Sequence, residues 1–128
     1  MVHLILIAIV IGLATCDFIT GWAKAFIAKN VKSDEMRRGG VRKLVEVVVM
    51  ATACGLNIAI DYLAEYSDSA GVFSDIVGAF SAFGVCAYIS IMEVISILEN
   101  YVAMYPNAKW AQSIAKRLGG IKDDNNAG

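Results

Sequence analysis

Residues 17–43 read DFITGWAKAFIAKNVKSDEMRRGGVRK. The stretch leaves one apolar run, crosses a basic segment and enters a second apolar run. Seven of the chain's eleven Lys and Arg residues fall in it: Lys24, Lys29, Lys32, Arg37, Arg38, Arg42 and Lys43. Short cytoplasmic loops between membrane spans carry the Lys/Arg excess, so this pattern reads as such a loop and orients the rest. Ser33-Asp34-Glu35 is a helix-start signal, because a hydroxyl and two acids meet free N–H groups there. Gly39-Gly40 then predicts a break between a short interfacial basic helix and the next span. The basic residues serve either as a topology signal alone or also as a binding surface for anionic lipid of the inner leaflet that tunes the timing of assembly.

Composition agrees. Of 128 residues, 58% are hydrophobic, and the mean hydropathy is +0.61. An ordinary soluble domain is about 45–50% apolar. The formal net charge of -1 gives no nucleic-acid signal. Cys16, Cys54 and Cys86 each sit in an apolar run without C-x-x-C spacing, which suits small buried hydrophobes. The opening Met-Val-His lacks a basic residue, which argues against a signal peptide. Leu13-Ala14-Thr15-Cys16 loosely matches a lipoprotein cleavage box, but Thr before the Cys fits it poorly.

About twenty apolar residues cross a bilayer core, and three stretches qualify: about 4–27, 41–64 and 72–98. Asp17 falls in the second half of the first. Trp22 and Lys24 follow it, placed to anchor and snorkel at the interface. The second span carries Glu46, Asn57 and Asp61, and its Ala51, Gly55 and Ala59 recur every four residues. A second small-residue stripe, Gly78, Ala82, Cys86 and Ser90, runs along the third span. Such stripes let helices approach closely, within one protomer or between protomers. The connection between spans two and three holds Glu65 and Asp68, with Asp75 at its border, and no Lys or Arg; it reads as the outer side. Past the third span the helix is expected to continue to about Tyr101–Tyr105, ahead of Pro106. The tail carries Lys109, Lys116, Arg117 and Lys122. Trp110, Ile114 and Leu118 share one face of a short amphipathic helix suited to the membrane surface, which Gly119-Gly120 is expected to end.

The sequence therefore predicts an all-α integral membrane protein: three transmembrane helices plus a short amphipathic C-terminal helix. Residues 1–106 form the transmembrane unit and 107–128 a polar cytoplasmic tail, with the N-terminus outside and the C-terminus inside. No nucleophile–base set, phosphate loop or metal-ligand pair occurs, so neither enzymatic activity nor a cofactor is expected.

Ionisable groups within spans usually face protein or water. Asp17, Glu46, Asp61, Asp75 and Glu93 therefore have two readings. In one they sit at helix ends among headgroups and water. In the other they bond between helices, Asp17 to a neighbouring segment and Glu93 and Glu99 to Arg42 or Lys43. Ser96 and Asn100 share a face with Glu93, as either a solvated helix extension or a polar self-association seam.

Two blocks carry a family resemblance. The first is Asp17-Phe18-Ile19-Thr20-Gly21 with Lys24-Ala25, Ser33, Gly40, Lys43 and a distal Asp61. The second is Glu93-Val94-Ile95-Ser96-Ile97-Leu98-Glu99-Asn100. In order and spacing the chain resembles the phage holin family, which includes lysis holins of Gram-positive phages and clostridial toxin-secretion holins. Arg37-Arg38 and Gly39 make its basic loop heavier than that pattern. The resemblance implies a lesion-forming protein of the bacterial inner membrane. Such a protein oligomerises with itself, opens suddenly and releases an endolysin or a large exported protein without needing to touch it. A small transporter or channel subunit is the competing reading, since acids inside spans also suit proton-coupled carriers. A membrane adaptor or a toxin–antitoxin pore is a further one.

Overall fold

A computed structural model describes residues 1–64 and 81–126 of the chain. Those residues form four helices: α1 (Val2–Ile27), α2 (Ser33–Ala64), α3 (Ala82–Met104) and α4 (Lys109–Asn126). Three of them, α1, α2 and α3, are long and apolar enough to cross a membrane. The protein is thus an all-α membrane protein with a short C-terminal helix. In hydrocarbon each backbone N–H and C=O needs a partner inside the segment, and a continuous helix supplies it. Glu65, Asp68, Asp75 and Gly78 lie outside the described residues, as does the expected start of the third span.

α1 and α3 run parallel, with α2 antiparallel to both. The Cys86 thiol points at the Leu6 carbonyl while Asn100 reaches Asp17, so positions rise together along α1 and α3. On α2, Cys54 meets His3 and Lys43 meets Asp17, so the order reverses. Among the described residues of the three spans, the α1–α3 interface is the most extensive and α2–α3 the least. Along α1 the buried residues are Leu6, Val10, Ala14 and Asp17, three or four apart, which makes one face of a helix. Leu6 and Val10 join Met50 and Cys54 of α2 and Ala82, Cys86 and Ile89 of α3 in the core. Most of the remaining apolar surface stays uncovered: Leu4 is 72% exposed, Leu44 67% and Phe83 65%. In a bilayer those faces meet lipid or another protein.

Three boundaries differ from expectation. Gly39-Gly40 does not break the chain; α2 starts at Ser33 and runs through both glycines. Likewise α4 passes through Gly119-Gly120 to Asn126. A glycine inside a helix costs only about 1 kcal/mol relative to alanine, and no described glycine has a positive φ. None of these four therefore takes the left-handed conformation that would close a helix. That role falls to Lys29, at φ 52°. The Asn30 N–H donates to the Ala25 carbonyl at 3.0 Å and the Lys29 N–H to the Phe26 carbonyl at 3.1 Å, the two bonds of a left-handed helix stop. The non-helical connection thus shrinks to 28–32, and Arg37, Arg38, Arg42 and Lys43 ride on α2 itself. Ser33 begins that helix, but the Met36 N–H donates to the Lys32 carbonyl at 3.1 Å, so the first turn opens one residue before the serine.

α3 is capped by Ser81, whose hydroxyl accepts from the Gly84 N–H at 3.0 Å. It ends at Met104, and α4 folds against its last turns. There Tyr101 stands 5.1 Å from Tyr105 and 5.6 Å from Trp110, ring centre to ring centre. Ala111 is fully buried, Leu118 half-buried, and Trp110 and Ile114 remain exposed.

Candidate functional site: a polar clasp between three helices

Lys43, Asp17 and Glu93 come from three different helices and meet at one depth. Each stands roughly ten residues from the basic end of its helix, about 15 Å at 1.5 Å per residue. The Lys43 ammonium donates to both Glu93 oxygens, at 2.5 and 2.6 Å. It also lies 2.8 Å from Asp17 Oδ2 and 3.5 Å from Glu46 Oε2. The side chains of Glu93 and Asp17 are 2% and 10% exposed, and that of Lys43 16%. Lys43 therefore ties α2 to α1 and α3 with a single atom.

Asn100 adds a second tie between α1 and α3. Its Nδ2 donates to Asp17 Oδ1 at 3.1 Å and to the Thr20 hydroxyl at 3.4 Å, while that hydroxyl donates to the Asp17 carbonyl at 3.0 Å. Gly21 lies beside this tie: a Cβ there would stand 3.5 Å from Asn100 Nδ2, in ordinary van der Waals contact. Arg42 reaches the cluster only at its rim, where its Nε donates to Glu46 Oε1 at 3.3 Å. The other Glu46 oxygen is buried with no hydrogen-bond partner. A cleft of about 240 Å³ opens beside the cluster and includes Asp17, Gly21, Lys24, Asn30, Lys43 and Asn100 in its wall.

Of the two readings of the in-span acids, Asp17 and Glu93 follow the interhelical one. The Glu93 partner is Lys43, not Arg42. Glu99 is exposed and bonds to neither base. Asp61 is exposed, and Glu46 half-buried. Ser96 is half-buried. Both expected sequence blocks converge here: Asp17, Thr20 and Gly21 from the first, Glu93 and Asn100 from the second.

The two small-residue stripes point in opposite senses. Ala82 and Cys86 are buried and Ser90 half-buried, against the bundle. Ala51, Gly55 and Ala59 are all exposed, and a Cβ on Gly55 would meet nothing within 4 Å. The face of α2 that packs inward is instead Lys43, Glu46, Val47, Met50, Cys54 and Asn57. Cys54 and Cys86 are buried as expected, but Cys16 is exposed.

Asn57 was legible only as a polar residue in a span. Its Oδ1 accepts the Ala82 N–H at 2.6 Å, which serves one of the free amides at the start of α3. The basic residues outside the clasp form local surface pairs, Lys32 with Glu35 at 3.1 Å and Arg37 with Asp34 at 2.8 Å. Arg38 and Lys29 are exposed. No cluster of His, Cys, Asp and Glu among the described residues has the makings of a metal site.

Comparison with curated proteins and with solved structures returns no match. The family model described as the bacteriophage holin family matches residues 2–123. That match spans both sequence blocks, all three apolar helices and most of α4, and the chain belongs to the bacteriophage holin family.

Proposed function

We propose that the protein is a non-enzymatic holin. It assembles with copies of itself in the bacterial inner membrane and forms lesions that release an endolysin or a large exported protein. The observation that carries this reading is the convergence of the two holin-like sequence blocks on one interhelical clasp. Its N-terminus lies outside and its C-terminus in the cytoplasm, supported by the placing of Lys and Arg in 24–43 and 109–122. Residues 1–106 make the membrane unit. The tail from 107 onward rests on the anionic inner leaflet through α4, whose Trp110 and Ile114 are uncovered. Protomers meet along Ala51, Gly55 and Ala59, which are exposed, with open space around Gly55, among the described residues. No nucleic acid and no cofactor takes part, and the released protein needs no contact with the lesion.

Timed permeabilisation tests the reading. The protein is induced in a bacterium with and without a cytoplasmic endolysin, and optical density and a potential-sensitive dye are followed. A lag, then abrupt depolarisation and endolysin-dependent lysis, is the expected course. Steady growth with intact potential, despite confirmed insertion, refutes it and favours a transporter or channel subunit.

A further inference from the structure

The basic end of the bundle holds an unpaired cation beside an opening in the fold. Lys24 stands exposed in the last turn of α1, and its ammonium pairs with no acid among the described residues. It lines the cleft of about 240 Å³. A second hollow of about 440 Å³ shares Lys24, Asn30 and Glu35 with the first and extends to Ala103 and Met104 of α3.

The other charges in the cleft wall cancel. Lys32 pairs with Glu35 at 3.1 Å and Lys43 with Asp17 at 2.8 Å, while Glu46 and Glu93 do not line it. The wall keeps one positive charge, that of Lys24. Between its polar groups the wall is apolar, with Phe18, Trp22, Ala25 and Met36. Lys24 lies three residues from the end of α1, about 5 Å at 1.5 Å per residue. Trp22 is 46% exposed and stacks on Phe26, ring centres 5.6 Å apart. Indoles collect at the headgroup level of a bilayer, so the mouth of the cleft faces lipid headgroups. Pockets that enclose a whole small ligand hold about 300–1,000 Å³. This cleft is smaller, which suits one end of a molecule whose remainder stays in the bilayer.

We propose that the cleft seats one anionic phospholipid. Its phosphodiester meets the Lys24 ammonium and the Asn30 amide at the mouth, and its upper acyl chain lies along Phe18 and Trp22. The single negative charge offsets the single surplus positive one. Asp17 stands seven residues deeper on α1, about 10 Å away, which keeps the phosphate clear of the buried acids. Resting on the contact of the basic end with an anionic leaflet proposed above, the site gives that attraction a defined seat. Its walls come from α1, α2, the 28–32 connection and Asn100 of α3, so it is whole only while the three helices stay together. A ligand that binds one state stabilises that state by mass action, so anionic lipid in the cleft favours the closed bundle.

The probe is a phospholipid with brominated acyl chains, which quenches tryptophan on contact. The full chain carries Trp110→Phe, so that Trp22 alone reports. It is placed in phosphatidylcholine vesicles containing brominated phosphatidylglycerol or brominated phosphatidylcholine. The expected result is a preference of about fivefold for the anionic quencher, the worth of one basic residue near an anionic surface. Lys24→Gln should lose it; Lys24→Arg should keep it. Arg38→Gln should keep it too, since Arg38 is exposed and outside the cleft. No preference in the Trp110→Phe chain overturns the proposal, and so does a preference that survives Lys24→Gln. Equal loss in Arg38→Gln means a diffuse basic surface and overturns it as well. Loss on adding inorganic phosphate assigns the cleft to a soluble anion and overturns the lipid seat. Where Lys24→Gln fails to insert, the Arg38→Gln and phosphate arms still decide. Phosphatidylglycerol should also raise resistance to denaturant in mixed micelles for the unmodified chain and not for Lys24→Gln; an equal rise in both overturns the link to closure. Because no arm needs lysis, failure here leaves the holin reading standing, and failure of timed permeabilisation leaves the lipid seat standing.

Discussion

Replacing Lys43 with methionine removes the one atom that joins all three spans. Methionine keeps the length and apolar stem of the lysine, so the perturbation is chiefly the charge. Asp17 and Glu93, at 10% and 2% side-chain exposure, lose the one cation paired with them among the described residues. Removing one partner of a buried ion pair costs about 3–5 kcal/mol. An upper bound comes from the escape route open to a stranded acid, which is to take up a proton. For an ordinary carboxyl at pH 7 that costs about 4 kcal/mol, so the two acids together lose no more than about 8 kcal/mol before neutralising. The expected destabilisation is therefore about 3–5 kcal/mol, or a shift of roughly two to three and a half decades in the folding equilibrium at 1.4 kcal/mol per decade. The assay is equilibrium unfolding of the purified chain in mixed detergent micelles, followed by tryptophan fluorescence. Lys43→Met combined with Asp17→Asn and Glu93→Gln removes the stranded charges and should recover about half of the loss. A Lys43→Met chain within about 0.5 kcal/mol of the unmodified protein, or a triple variant less stable than Lys43→Met alone, would refute the clasp as the element holding the spans together.

Other changes test separate contacts. Lys29→Gly should stabilise the chain by about 1 kcal/mol in the same unfolding assay, since a non-glycine residue in the left-handed region costs about that much and Lys29 stands at φ 52°. Unchanged or lower stability would contradict the helix-stop assignment. Gly55→Leu should leave unfolding of the single chain within about 0.5 kcal/mol, the range for a surface change. It should still deplete crosslinked oligomers and delay lysis; full crosslinking ladders would remove this face from the assembly. Asn57→Ala should cost about 1–2 kcal/mol by leaving the Ala82 N–H without its acceptor, and no measurable loss would show that another group takes over.

The number of spans, the basic end and the polar positions were all legible in the sequence, and for one reason. Membrane helices announce themselves by length and apolarity, and a charge inside one is rare enough to mark where protein meets protein. Asp17, Glu93 and Asn100 could be singled out on that ground. Which apolar face turns inward was not legible. Lipid is as apolar as a protein core, so α2 shows small or apolar residues on all sides and carries no amphipathic phase. Ala51, Gly55 and Ala59 looked as suited to internal packing as Ala82, Cys86 and Ser90, yet only the latter set packs inward. The anchor that resolves α2 is Lys43: once it bonds Glu93, the residues on its face, Met50, Cys54 and Asn57, must follow. The glycine pairs misled because a helix stop needs a left-handed residue, and neither pair adopts one. Lys29, which does, belongs to a residue type that gives no signal for it.

The placing of the clasp also explains why polar groups hold this bundle at all. Apolar faces gain little by leaving lipid for one another, so the α2–α3 contact, the least extensive of the three, has weak support from packing alone. A charged contact has a large energy difference between made and broken states, because the broken state strands charges in hydrocarbon until water reaches them. Lys43 bonds α1 and α3 through the same ammonium, so its two contacts are lost together rather than one after the other. Two separate pairs would allow a half-open bundle; a shared atom disfavours it. In the function proposed above, the protomer must stay inert while it accumulates and then change state abruptly. A three-way contact through one lysine gives a single chain that all-or-none character before any oligomer adds its own.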